Sequence, residues 1–320
     1  MSSTVAAAKP STGLGFLLGL TLLGLLLAMW VVLSLSTETF LTANNFSNLM
    51  RQAALWAIIA VGQTFVIITA GIDLSVGAVI GFCSTSIALM LQAGWPVALA
   101  VAATLGIGMA IGLFHGFGIV KLGLPPFIMT LATMTALRGM GLLMTNGATI
   151  SINRDSFTDF SRGALLGVPN LFWMVILVAA PAFVLLHLSR WGRYLYAVGS
   201  NAEAARLSGV NVSAVIYLAY TVSAVFAAFA VILTAARIGV GVATTGDGWE
   251  LQSIAASVIG GTSLFGAVGS VQGPLIGSFL LTTIANGANL LNVNPFWQRI
   301  ITGGLIIVIV YSDQMRRRRG

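Results

Sequence analysis

Few residues of this chain could do chemistry on a bound molecule. Two histidines, His115 and His187, one cysteine, Cys83, and three carboxylates, Asp73, Asp247 and Glu250, lie in or beside apolar stretches. An H-E-x-x-H pair would hold zinc on one helix face, and G-x-x-x-x-G-K-[ST] would cradle a phosphate chain; neither pattern occurs. The lysines, Lys9 and Lys121, follow no glycine-rich phosphate loop, so any ATP must be hydrolysed elsewhere. A lone thiol in an apolar run builds no disulfide or thiolate metal site, and Cys83 reads as a small core residue. The histidines fall near the ends of apolar helices, where packing and interfacial roles outweigh ligation or proton transfer. No metal and no cofactor is expected, and the chain does not read as an enzyme.

Passage of a solute is the other chemistry to weigh. An ion-coupled carrier keeps ionisable groups near the bilayer midplane because a charge there costs about 2.5–3.5 kcal/mol. Arg138 is the one candidate, and it lies roughly 10 Å from the external end of its helix, so it can snorkel outward or pair with the acidic residues of the 145–169 loop. Asp73 and Glu250 read as helix caps, although both could border a polar passage. A conduit for a sugar needs hydroxyl partners without deep binding. Gln63, Thr64, Asn146, Thr262, Ser263, Asn286 and Asn289 offer amides and hydroxyls, and Phe127 and Trp297 offer rings for the apolar side of a sugar. Helix packing is the alternative role for each.

Composition defines the elements that must position these groups. Hydrophobic residues make up 58% and charged residues 7% of 320, at a mean hydropathy of +0.99. That is too few charges to cover a soluble globule, so the chain is a polytopic, all-α membrane protein. The net charge of +7 sits at segment ends and in the tail rather than on one face, which argues against nucleic acid. Apolar runs predict about ten transmembrane helices: 13–35, 53–70, a third to about 92, 97–120, a fifth after Pro125 and Pro126, 170–188, 213–236, an interrupted eighth, 274–291 and 297–312. Gly108, Gly112 and Gly116 mark one face of the fourth for close packing, and that helix reads as buried. Asp247 followed by Glu250 reads as a capping box opening the eighth. The whole chain is one transmembrane domain, with a cytoplasmic tail over 1–12 and a basic tail over 313–320. Lys9, Lys121, Arg190, Arg193, Arg206 and Arg316 to Arg319 fall inside, against Arg51, Arg154, Arg162, Arg237 and Arg299 outside or at the outer boundary, which supports both termini in the cytoplasm.

The segment 189–212, SRWGRYLYAVGSNAEAARLSGVNV, stands apart. Gly199, Ser200 and Asn201 break an incoming helix, Asn201 can cap a new one, and Ala202 to Leu207 forms two turns ended by Gly209. A small helix is thus presented at the cytoplasmic surface, with Glu203 and Arg206 on neighbouring faces and Ala204 and Ala205 as its small surface. It is either an ordinary structured loop or a docking element for a partner. Elsewhere, GIDLSVGAVIG and GWELQSIAASVIGG each place a carboxylate before an apolar helix ending in glycines, and the predicted spans start them from opposite faces, as in an inverted repeat. Chance similarity between apolar stretches is the alternative.

Four blocks, GQTFVIITAGIDLSVGAVIG, PPFIMTLATMTALRGMG, GRYLYAVGSNAEAARLSGVNV and ELQSIAASVIGGTSLFGAVGS, resemble in order and spacing the monosaccharide permeases of ribose-type ABC importers. The resemblance implies the ten-helix type II importer arrangement and a homodimer in the bacterial inner membrane. It implies a periplasmic sugar-binding protein and a cytoplasmic ATPase with two cassettes as partners. It also implies a coupling-helix role for Asn201, Glu203, Ala204, Ala205, Arg206, Leu207 and Gly209. Relatives on this scaffold carry ribose-, xylose-, arabinose-, galactose- or fructose-like sugars, nucleosides, autoinducers or branched-chain amino acids, so the solute stays open; an ion-coupled secondary transporter is the rival class. The orientation is testable in a Cys83→Ala background. An impermeant thiol reagent on intact cells should label Ser156→Cys and spare Ser200→Cys, and the reverse pattern would invert the topology.

Overall fold

The computed structural model describes residues 12–294 and, beyond them, 296–298, 300, 301, 303, 304, 307, 311, 314 and 315. Lys9, Arg299 and the arginines Arg316 to Arg319 lie outside the described residues. Among the described residues up to 294, twelve α-helices run in order: α1 (Thr12–Ser36), α2 (Ala43–Ile68), α3 (Val76–Gln92), α4 (Val97–Val120), α5 (Pro126–Thr145), α6 (Asp155–Arg162), α7 (Asn170–Phe183), α8 (Arg190–Ser200), α9 (Ala202–Leu207), α10 (Val212–Ile238), α11 (Trp249–Ile259) and α12 (Gln272–Leu290). A π-helical turn, Val184–Leu188, extends α7. Two-residue strands pair β1 (Ile150–Ser151) with β4 (Val240–Gly241), and β2 (Ala164–Leu165) with β3 (Val168–Pro169), both antiparallel.

Among the described residues, six helical stretches are long and apolar enough to cross a membrane: Gly19–Ser36, Ala43–Ile68, Val97–Val120, Pro126–Thr145, Asn170–Leu188 and Val212–Ile238. The expected count of about ten exceeds this because α3 and α11 have only 17 and 11 residues, α12 is not among the six, and the expected tenth span, 297–312, lies in large part outside the described residues. The 145–169 loop also carries structure of its own, α6 and the β2–β3 hairpin.

Helix α2 is the axis of the bundle. From Ala53 to Ile68 its residues are buried on nearly every side except Trp56, as suits a helix hydrophobic all round. Helices α10, α12, α11 and α7 pack around it. Helix α4 then lies on α10 through its glycine face: a Cβ on Gly108 would fall 2.6 Å from Ala228 Cβ, one on Gly112 2.4 Å from Thr221 Cα, and one on Gly116 2.3 Å from the Tyr217 ring. The fourth helix is nonetheless not buried, as expected from sequence, but one-sided. Leu99, Met109, Leu113, Phe114 and Phe117 face outward, which costs nothing where the solvent is lipid.

Two stretches of irregular backbone enter the bundle, 69–75 before α3 and 242–248 before α11. The second runs antiparallel along α3. A Cβ on Gly77 would fall 2.4 Å from Gly246 O, one on Gly81 2.2 Å from Ala243 O, and one on Gly241 2.5 Å from Ser84 O. Ser84 Oγ accepts the Val242 N–H at 3.1 Å. Helix α3 then climbs toward the β1–β4 end while α11 descends toward the end that carries α8, where Ala267 N–H reaches Ile68 O at 2.9 Å. The two helices therefore start beside each other and run in opposite directions. Gly81→Val should lower thermal stability in detergent by roughly 1–3 kcal/mol by overpacking this contact. Gly106→Ala, where a Cβ meets nothing within 4 Å, should be neutral or better, and equal transitions for the two variants would refute the packing argument.

Candidate functional site

The first irregular stretch is held by Asp73, which is wholly buried. Its Oδ1 accepts from Ser75 N–H at 2.9 Å and Ser75 Oγ at 2.6 Å, and its Oδ2 accepts from Ser223 Oγ on α10 at 2.9 Å. Gln63 Nε2 donates to its backbone carbonyl at 3.0 Å, and Thr130 of α5 accepts from Leu74 N–H at 3.3 Å. Asp73 was expected to cap α3. The N-cap is Ser75, without a side-chain cap bond, and Asp73 instead closes the turn before it and ties α10 to α2. His115 and Tyr220 stack edge-on nearby at 6.0 Å. His187 Nε2 accepts from Val271 N–H at 3.3 Å, a packing role.

The second stretch is held by an ion-pair triad. Arg138 Nη2 lies 3.3 Å from Glu250 Oε1 and 3.4 Å from Asp247 Oδ1. Arg138 thus neither snorkels nor reaches the 145–169 loop. The expected capping box is also absent: Gly248 is the N-cap of α11, at φ +82°, with no side-chain cap bond. Both carboxylates turn to the guanidinium, because a charge at this depth is far cheaper paired than left to one helix end.

Beside this triad, between α2, α10 and the 244–249 segment, opens a cavity of about 490 Å³. Its polar walls are Gln52, Thr234, Arg237, Thr244, Thr245 and Asp247, with Trp249 as its aromatic face. Arg237 Nη1 is fixed by Gln52 Oε1 at 3.0 Å. The cavity shares no residue with the set proposed from sequence. Thr64 bonds Ala60 O and Ser257 Oγ, at 2.9 and 3.2 Å, and so joins α2 to α11. Asn286 exchanges amide bonds with Asn45, Asn289 accepts from Gln298, and Asn146 is the left-handed C-cap of α5. Thr262 is buried and Ser263 turns the loop after α11. Phe127 and Trp297 are exposed. The signal that was available was GVGVATTGDGWEL, a polar stretch directly after a span that reads as an external loop and folds inward.

At the opposite end, α8 and α9 form a rigid elbow. Ser189 caps α8 by accepting from Trp191 and Gly192 N–H. Tyr196 donates to Gly269 O at 2.8 Å, and burial pushes its phenol up to about 12, so it stays a donor. Asn201 ends α8 and caps α9, its Oδ1 accepting Ala204 N–H at 2.9 Å. Gly209, at φ +83°, closes α9 as a Schellman motif: Gly209 N–H reaches Arg206 O and Val210 N–H reaches Ala205 O, each at 3.0 Å. Glu203 and Arg206 pair with each other on the exposed face, and hydrogen bonding to Arg206 holds the Glu203 carboxyl below its ordinary range. Ala205 faces inward at 5% exposure, against expectation, because it seats α9 on the core around Val215 and Ala219. Leu207 stands 77% exposed.

A model of the family described as the branched-chain amino acid transport system / permease component matches residues 45–310. The chain belongs to that family. The ribose import permease protein of Escherichia coli (strain K12) is 39% identical to it over 296 residues, 91% of this chain and 92% of that one. The ribose import permease protein of Bacillus subtilis (strain 168) is 39% identical over 288 residues, 89% of each chain. The xylose transport system permease protein of Escherichia coli (strain K12) is 33% identical over 342 residues, 88% of this chain and 87% of that one. No solved structure matches. The permease is accordingly a multi-pass inner-membrane protein and, like its relatives, a transport subunit rather than an enzyme.

The triad makes a measurable claim on the permease. Arg138→Gln and Glu250→Gln should each lower thermal stability, and the double variant should lose less than their sum, with a coupling of about 0.5–3 kcal/mol. Strict additivity in that cycle would show that the pair contributes nothing.

Proposed function

We propose that the permease passes a monosaccharide of the ribose or xylose class into the cytoplasm as the membrane subunit of an ATP-driven importer. The likeness that carries this reading is the 39% identity to a ribose import permease over 91% of the chain. The absence of any phosphate loop from the sequence fits a separate ATPase with two cassettes, and a periplasmic sugar-binding protein delivers the solute. Two copies form the working unit. Ten crossings, with 242–259 and 69–92 as composite ones and both termini cytoplasmic, agree with the directions of α3 and α11 and with a type II importer built on an inverted repeat.

The elbow of α8 and α9 suits coupling to the ATPase. Its capped ends make α9 a stiff unit, and the face it offers is Leu207 beside the Glu203–Arg206 pair. Ala204 takes part through the cap and Ala205 by seating the helix, so Ala205→Trp would disturb folding rather than contact.

Reconstitution with a two-cassette ATPase and a periplasmic sugar-binding protein as partners tests the reading. Proteoliposomes should take up D-ribose or D-xylose with ATP and should not take up L-leucine; uptake driven by an ion gradient without the ATPase would place the chain among secondary transporters. Leu207→Asp should leave the complex assembled and cut coupled ATP hydrolysis roughly tenfold, as removal of an interface anchor does. Glu203→Gln, which breaks an exposed pair, should stay near wild type.

A further inference from the structure

We infer that the cavity between α2, α10 and the 244–249 segment is a binding subsite for a neutral polyhydroxylated solute, beside the Arg138–Asp247–Glu250 triad. The inference rests on the reading of the chain as a monosaccharide carrier and adds where the sugar is held.

The size and the walls carry the first part. A volume of about 490 Å³ lies within the roughly 300–1,000 Å³ of small-molecule sites. Thr244 and Thr245 offer hydroxyls that both donate and accept, which is what a ring of hydroxyl groups requires. Gln52 fixes Arg237 with its carbonyl oxygen, leaving its own amide hydrogens and the rest of the guanidinium as donors. Trp249, half-buried on the wall, gives a flat face to the C–H side of a sugar ring. Asp247 would draw an ammonium group, but it shares Arg138 with Glu250, and Arg237 on the wall brings these four charges to zero. The lining therefore carries no net charge to select an ion, and its hydroxyl, amide and guanidinium groups suit an uncharged polyol.

Position carries the second part. Arg138 lies seven residues before Thr145, the end of α5, or about 10 Å inside the span. Its side chain is 35% exposed and that of Asp247 54%. Charged groups at such depth do not face acyl chains; they line a water-filled space or a protein contact. The cavity thus opens on water or on a second copy of the chain rather than on lipid. Asp247 ties the cavity wall to the point where α3 and α11 begin, beside Gly77 and Glu250.

Saturation-transfer NMR on the full-length chain in lipid nanodiscs, with D-ribose, D-xylose and L-leucine as probes, tests this. The pentoses should receive saturation from the wild type and leucine should not. The Thr244→Val/Thr245→Val variant and Trp249→Leu should each weaken the pentose signal about three- to tenfold, the scale of one or two lost hydrogen bonds, and Trp249→Phe should retain it. Each variant must keep the wild-type thermal transition, and either of the first two suffices for the test. Pentose signals unchanged in both would overturn this site and leave the carrier reading standing. Transfer to leucine in place of the pentoses would overturn the substrate class itself. No transfer to any probe beyond empty nanodiscs would overturn the site, while ATP-driven pentose uptake decides the carrier reading separately.

Discussion

A peptide group inside a bilayer has no water to bond, so irregular backbone survives there only when protein covers it. This chain lets two such stretches into its interior, and the rest of the architecture follows from covering them. The 242–248 segment is accepted because Gly77 and Gly81 strip α3 of side chains along one face, so that backbone lies on backbone, and because Ser84 supplies an acceptor to Val242 N–H. The 69–75 stretch is accepted because Gln63, Thr130 and Ser223, on three different helices, bond to it. Both devices consume polar side chains that would otherwise suggest a lining.

The same economy governs polar residues within the helices. Thr104, Thr133, Thr145 and Thr234 each return their hydroxyl to the carbonyl four residues back, which satisfies the group without a partner helix. Hydroxyls in an apolar run are for this reason poor guides to a passage. Thr244 and Thr245 of the cavity wall stand instead on irregular backbone, outside any helix.

What could be read from the sequence follows from range. Apolar runs and caps act within one turn, so α4, α7, α10 and the α9 helix between Asn201 and Gly209 lie where the sequence places them. The glycine triplet of α4 was legible too, since three small residues at a spacing of four need no knowledge of the partner. Arg138 was not: its carboxylates lie 112 residues away on another element in the case of Glu250, and nothing local distinguishes them from a capping box. Ala205 was misjudged for the reverse reason. In a two-turn helix the inward and outward alanines look alike until the core beneath is known.

The brevity of α11 also bears on how the chain is made. A helix of 11 residues, with Glu250 in its first turn and Asp247 just ahead of it, gains too little from apolar transfer to leave the translocon for lipid by itself. It must partition together with α10 ahead of it and α12 behind it, as a hairpin rather than as a solitary stop-transfer segment. Synthesis order assists, because Arg138 leaves the ribosome long before Asp247 and Glu250 and already waits in the bilayer as their counter-ion. Biogenesis of the last third of the chain is therefore contingent on the first part having inserted, and a ribosome stalled between α5 and α11 leaves an unneutralised guanidinium for quality control to recognise.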